Sequence, residues 1–305
     1  MNPSGRVPGR TFVFITQLFN ACFANCLMPL QKLLLIIATH FGLPCFSQEL
    51  FIHSEPASTL PARSLGANVT GYIIPYDPVF ARPAQRYTGQ FMIGLGKRFS
   101  AKLGAAFANM HTNTVEKESF SFFAKYRFLS KDELHRHFRL AAFLHAAYSY
   151  APFHSEEVDL RDKTGVSAGI IATRLLNKFA LSGSASITQL LDSSRFNETA
   201  YTPPRIYQAM NYSFSTGCLL FPQVYRDLNQ LNVNVYMEFL AQQTLTEHKY
   251  YVDFAPGLQF IIKSSLKLNI GYRIELSGDM SRLSRYEWLF GIEKGFLNVW
   301  KGKSR

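Results

Sequence analysis

The chain has 305 residues, of which 47% are hydrophobic, 14% aromatic and only 17% charged, and its formal net charge is +11. A mean hydropathy of −0.02 excludes a bundle of apolar membrane helices, but it suits a barrel in which half of every strand is polar. The basic residues are scattered rather than gathered into a patch, which argues against nucleic acid as a partner.

Lys32 precedes the apolar run Leu33–Ala38, which continues through Phe41 and Leu43 to Cys45-Phe46-Ser47 and Gln48. The order basic, apolar, small residue predicts a cleaved signal peptide over 1–47, and the run is too short for a transmembrane helix. Met28 stands where such a leader normally begins, so 1–27 reads as an upstream extension from a mis-set start or as an unusually long basic region. Pro44 and Gly42 fit poorly with lipidation at Cys45. The chain after cleavage carries 29 basic and 21 acidic residues, a net charge of +8, and keeps Cys218 as its single cysteine. That excludes an internal disulfide framework and a cysteine metal cluster.

Residues 48–64 form an expected periplasmic tail. Pro56 and Pro61 prevent regular strand pairing there. The stretch serves either as a plain tether or as a plug tucked into the lumen.

Twelve strands are predicted over 65–74, 89–99, 100–109, 118–128, 137–149, 164–174, 178–188, 208–219, 231–242, 249–261, 265–277 and 285–297. The clearest is 266–277, where Leu266, Leu268, Ile270, Tyr272, Ile274 and Leu276 alternate with Lys267, Asn269, Gly271, Arg273, Glu275 and Ser277. Strands of soluble sheets are about half this length. The connections alternate between a long set (75–88, 110–117, 150–163, 189–207, 243–248, 278–284) and a shorter set (Phe99-Ser100, 129–136, 175–177, 220–230, 263–264). Transmembrane barrels have short periplasmic turns and longer outer loops, so an even strand number places both termini in the periplasm. Tyr72, Phe99, Tyr126, Phe128, Tyr148, Tyr150, Tyr250, Tyr272, Tyr286 and Trp300 lie near strand ends, as interfacial girdles do. A soluble sandwich or lipocalin-like barrel also alternates, but outward faces so continuous in Leu, Ile, Phe and Tyr would exceed any soluble patch. The expected fold is all-β: a single antiparallel up-and-down transmembrane β-barrel of about 12 strands over 65–300, followed by a basic tail at 301–305, in the bacterial outer membrane.

Parity then points Glu238, Asp253, Gln259, Lys267, Asn269, Arg273, Glu275, Glu287 and Glu293 into the lumen, with Arg139 and His145 on the strand over 137–149. On the lipid face each charge would cost roughly 2–4 kcal/mol near the midplane. These residues line either a charged path for a small solute or a packed interior of mutually paired charges. His135 and His137 share a strand face and form a weak metal candidate, set among Lys131, Arg136 and Arg139. No cofactor is expected. An enzyme is not expected either: His145 and Ser149 share a face but lie four residues apart, and no Gly-x-Ser-x-Gly occurs.

Three blocks resemble uncharacterised outer-membrane β-barrel proteins of Bacteroidota. They are Ser47-Gln48-Glu49-Leu50 with Glu55-Pro56-Ala57-Ser58; Lys125–Ser130 with His135–Arg139; and Leu268–Arg273. More distantly the chain looks like the outer-membrane transporters of the phenol-degradation meta-pathway family. The resemblance implies uptake or channel activity and transfers no functional residue. One departure is the C-terminus, where Phe296 and Trp300 are followed by Lys301-Gly302-Lys303-Ser304-Arg305 instead of ending on an aromatic. The expected activity is passage of a small solute, with outer-membrane lipid, lipopolysaccharide and the barrel assembly machinery as partners. The alternatives are a non-transporting barrel acting through loops 75–88, 150–163 and 189–207, and an outer-membrane hydrolase.

Overall fold

The computed structural model describes residues 51–300 apart from 78–81, 111, 134–135, 152–154, 177–178, 192–205 and 223–229. The predicted signal peptide, the basic tail at 301–305, His135 and most of loop 189–207 lie outside the described residues. Twelve strands follow in chain order: β1 Ser64–Asp77, β2 Arg82–Gly94, β3 Phe99–Ala108, β4 Glu116–Glu133, β5 Arg136–Ser149, β6 Gly165–Leu176, β7 Phe179–Leu190, β8 Gln208–Phe221, β9 Leu231–Thr244, β10 Tyr250–Ile262, β11 Leu266–Gly278 and β12 Tyr286–Phe296. Each pairs antiparallel with its chain neighbours. β1 closes on β12 from Leu65↔Phe296 to Ile73↔Trp288, so the sheet is a closed barrel without a free edge pair.

Alternation decides what faces where. In β12, Tyr286, Trp288, Phe290, Ile292 and Phe296 are exposed, while Glu287 and Leu289 are buried. The same inversion holds elsewhere: Leu103, Ile170 and Phe214 are exposed, whereas Arg86, Glu118, Asp253 and Glu238 are buried. A contiguous apolar exterior around a polar interior is the arrangement that hydrocarbon, not water, stabilises.

Three predicted connections differ. The β2–β3 connection is 95–98, whereas Phe99 and Ser100 already belong to β3. Residues 129–133 are strand and pair with β5 to the end of β4, with Asp132↔His137 and Glu133↔Arg136 in register. The end of β4, Ser130–Glu133, is polar on both faces, so the apolar alternation that marks a membrane strand fades before that strand ends. A bulge between Arg127 and Leu129 also resets its parity. Most of the predicted long loop 75–88 is strand, because β1 runs on to Asp77 and β2 begins at Arg82. The β10–β11 turn places Lys263 (φ 50°) and Ser264 (φ 53°) in the left-handed region, the handedness that matches strand twist in tight hairpins.

Candidate functional site in the barrel interior

The segment Phe51–Pro61 lies inside the barrel, at the end that carries the short turns. Glu238 of β9 explains the first contact. Its carboxylate is fully buried and needs donors. Three successive backbone amides supply them: Ile52 N and His53 N donate to Oε1 at 2.8 and 2.9 Å, and Ser54 N donates to Oε2 at 2.8 Å. Consecutive amides converging on one anion form a nest. Ser215 Oγ adds a fourth bond at 3.1 Å. Phe51 packs edge-on against Tyr236, with centroids 5.7 Å apart. A Cβ on Gly257 of β10 would meet Ile52 Cδ1 at 2.4 Å, so the wall lacks a side chain where the tail passes.

Farther along, Glu55 bridges Lys102 of β3 (2.6 Å) and Lys125 of β4 (2.8 Å), and Lys125 also donates to the Pro56 carbonyl at 2.7 Å. Ala57 N donates to Thr173 Oγ1 at 2.9 Å. Burial pushes the Glu55 carboxyl up, but Lys102 and Lys125 outweigh it and hold the group at about 2, against an ordinary 4.5. This contribution to docking is therefore complete above pH 4.5 and is lost as pH falls towards 2. Burial also holds His53 neutral, against the pull of Glu238 and Glu287, so its charging below an ordinary 6.5 favours the undocked tail. Labelling of S54C by a pyridyl disulfide, taken relative to the unfolded chain at each pH to remove the intrinsic loss of thiolate, should accelerate progressively on acidification, and E55Q should abolish the part of the rise below pH 4.5.

The opposite end is closed by residues 155–163 of the β5–β6 connection. Val158 and Leu160 pack with Ala147, Leu190 and Ile206. Val158 exchanges two hydrogen bonds with the Gln242 side chain, at 2.8 and 3.0 Å. The acids of this loop meet arginines on the wall and on the β11–β12 connection. Arg86 of β2 holds Glu118 at 2.6 Å and Asp162 at 3.2 Å. Arg282 grips Asp253 with two bonds of 2.7 and 2.8 Å, reaches Glu275 at 3.1 Å and Glu157 at 3.3 Å, and lies 3.7 Å above the Tyr251 ring. Arg273 joins Asp253 (3.2 Å), Glu287 (3.4 Å) and Glu157 (3.5 Å). Burial pushes Asp162 up to about 6 despite Arg86.

The residues singled out by parity fall into three groups. Asp253, Arg273, Glu275 and Glu287 join this ionic network. Glu238 clamps the tail, while Gln259 donates to Asn269 at 2.8 Å and accepts from Tyr236 at 3.2 Å, and Lys267 pairs with Glu293. Arg139 and His145 join neither group. Arg139 sits at the turn-bearing mouth, 3.1 Å from Asp132, and His145 stacks edge-on with Phe123. His137 is also held by Asp132, at 2.8 Å. His145 and Ser149 are not brought together, because Ser149 donates to the Glu118 carbonyl at 3.2 Å.

Among the described residues, two cavities border the tail. One of about 320 Å³ lies beside the tail against Asn68, Thr88, Gln90, Lys267, Asn269 and Glu293. The other, of about 330 Å³, lies between tail and loop and is lined by Tyr72, Phe143, Asn211, Ser213, Gln242 and Tyr251. Sequence reasoning missed Arg86, Glu118, Arg282 and the acids of 156–162. Parity gave no signal for two of them: Arg86 fell in the predicted loop 75–88, and Glu118 has the parity of the outward Phe120 and Phe122 and is turned inward by the bulge that skips it opposite Ala106 and Phe107.

Among solved structures, the COG4313 outer membrane channel from Pseudomonas putida F1 is similar to this chain with a TM-score of 0.52 and 9% identity, over 81% of this chain and 100% of its own. The β domain of the Bordetella autotransporter BrkA matches 77% of this chain and 100% of its own at 10% identity and a TM-score of 0.42. Salmonella typhi OmpF matches 76% and 97% at 9% identity and a TM-score of 0.34. No family model matches the sequence, and no curated protein does. At such identities the likeness speaks for the fold alone, and that fold is an outer-membrane β-barrel of twelve strands.

Proposed function

We propose that the chain is a narrow, gated channel for small polar solutes in the bacterial outer membrane, with both termini periplasmic and lipopolysaccharide around its outer loops. One observation carries this reading. The interior is not a solid apolar core: it holds cavities of about 320 and 330 Å³ in series, the first mainly polar and the second lined by polar and apolar groups alike, separated by a tail that is fastened at separate points rather than woven into the sheet. Each cavity has room for about ten waters at bulk density. Solutes at the small end of the ligand range fit such spaces. Folding would rely on the barrel assembly machinery, as for other strands of this kind.

The interior charge predicts selectivity. Among the described residues, Glu55, Glu118, Asp132, Glu156, Glu157, Asp159, Asp162, Glu238, Asp253, Glu275, Glu287 and Glu293 narrowly outnumber Arg86, Lys102, Lys125, Arg127, Arg139, Arg161, Lys163, Lys249, Lys267, Arg273 and Arg282. A fixed acidic excess in a narrow, low-dielectric lumen attracts cations. Purified protein in planar bilayers under a potassium chloride gradient should give small unitary steps with a cation-selective reversal potential. Silent bilayers, together with liposomes that do not swell in small sugars or amino acids, would favour the second reading, a non-transporting barrel. The observation behind that reading is that both ends of the lumen are filled.

A further inference from the structure

We propose that the turn-bearing rim over β4–β6 is a binding site for an anionic phospholipid headgroup, built from Lys131, Arg136 and Arg174 around Phe138. The register carries the argument. Lys131 of β4 pairs with Phe138 of β5, and Phe138 pairs with Arg174 of β6, so the three stand in one row across the sheet. Leu140 and Ala172 continue two residues along on the same outward face. Adjacent strands lie ~5 Å apart, so the two cations are rooted ~10 Å from each other with the ring between them. Arg136 stands two residues from Phe138 on the same face, opposite Leu176, which in turn faces the exposed ring of Phe179.

Lys131, Arg136 and Arg174 are exposed, and none has an ion-pair partner within reach among the described residues. Glu133 lies in register with Arg136 and offsets part of its charge, but no carboxylate stands in register with Lys131 or Arg174. These are outward positions of a membrane sheet, where a cation is costly except at headgroup depth. Aromatic rings interleaved with basic side chains match a glycerol backbone below and a phosphate above.

The two rims differ in a way that names the leaflet. At the turn-bearing end Arg63, Lys97, Arg98, Lys263 and Lys294 are exposed as well, against Asp132 and Glu133 as the exposed acids among the described residues. At the loop-bearing end, among the described residues, the exposed Lys117 and Arg285 are matched by Glu116, Glu247 and Asp279. Lipid A phosphates would call for the opposite bias, and the phospholipid leaflet of the outer membrane faces the periplasm. The occupant is therefore an anionic glycerophospholipid of the phosphatidylglycerol type. The inference rests on the turn-bearing end facing the periplasm and is independent of whether the lumen conducts.

Native mass spectrometry of the full chain extracted from mixed phosphatidylglycerol–phosphatidylcholine nanodiscs tests it. Wild type should retain phosphatidylglycerol preferentially. Each neutralisation in K131Q/R174Q should lower that preference about fivefold, which corresponds to ~1 kcal/mol per basic residue near an anionic surface. K117Q/R285Q, at the other rim, should retain the wild-type preference. Heat-modifiable migration reports whether each variant is folded. Should the double variant not fold, raising salt from about 0.05 to about 0.5 M must still erase the wild-type preference, since exposed charges are screened over that range. Equal retention of both lipids by wild type, unchanged retention by folded K131Q/R174Q, a preference that survives the salt, or displacement by lipid A at equal concentration would each overturn the proposal.

Discussion

Replacing Glu238 by alanine should free the first turn of the tail and raise unitary conductance severalfold while leaving the barrel folded. The carboxylate accepts four hydrogen bonds, three of them from the consecutive amides of Ile52, His53 and Ser54. Hydrogen bonds to a charged group contribute roughly 1.5–3 kcal/mol each, and stranding their partners in a buried site adds about 1–3 kcal/mol per orphaned group. These terms are not additive, yet even a fraction of them exceeds what Phe51 gains against Tyr236. The strand ladders on both sides of β9 do not depend on Glu238, so the cost falls on the tail. Glu55 and Ala57 still hold the segment farther along, and release is therefore partial. Two readouts separate opening from unfolding: single-channel steps should grow, and S54C, which loses its amide acceptor in the same variant, should label faster. Larger steps without faster labelling would place the constriction elsewhere than at the tail. Faster labelling without larger steps would make the 155–163 loop the narrower barrier. G257V should mimic the effect from the other side, since a branched side chain there occupies the space of Ile52.

The contrast between what was and was not legible follows from where each contact is encoded. The strands of the C-terminal half were legible because period-two alternation is a property of side chains: Leu266 to Leu276 point one way, and Lys267 to Glu275 the other. The tail offered no such period. Ile52, His53 and Ser54 bind Glu238 through backbone amides, which every residue but proline possesses, so no residue type announces the contact. What sequence did hold was the indirect sign of an acid at inward parity on β9 with small Gly257 and Gly271 facing it from β10 and β11. The loop over 155–163 misled for the opposite reason. Glu156, Glu157, Asp159, Arg161, Asp162 and Lys163 form a run of charge that in a soluble protein marks a solvated surface. In a barrel the interior is the polar phase, and the same run folds inward to meet Arg86, Arg273 and Arg282. Arg139 shows the limit of parity, which assigns a face but not a depth: its side chain is inward yet lies at the mouth beside Asp132.

Arg282→Met should loosen the loop that closes the other end and deepen cation selectivity. The guanidinium side chain is fully buried and touches three carboxylates, Asp253, Glu275 and Glu157, which come from β10, β11 and the β5–β6 loop. Methionine keeps much of the volume but removes the charge, leaving these acids with Arg273 and the exposed Arg285 as their remaining cations. Breaking a buried ionic cluster from one side costs about 3–5 kcal/mol. Two of the acids sit on rigid strands, so the least costly relief is for Glu157 to leave with its loop. Conductance should rise, and the reversal potential should move further in the cation direction because uncompensated acids remain on the wall. The double variant D253N/R282M distinguishes charge from packing. Neutralising both members of the bidentate pair should restore part of the loop docking, with a coupling of about 0.5–3 kcal/mol in the cycle. R282K should fall between wild type and R282M, since an ammonium keeps the charge but cannot span both Asp253 oxygens as a guanidinium does. A reversal potential unchanged in R282M, or a double variant no closer to wild type than the single, would mean that the ionic network does not hold the loop and that Val158 and Leu160 alone keep it in place.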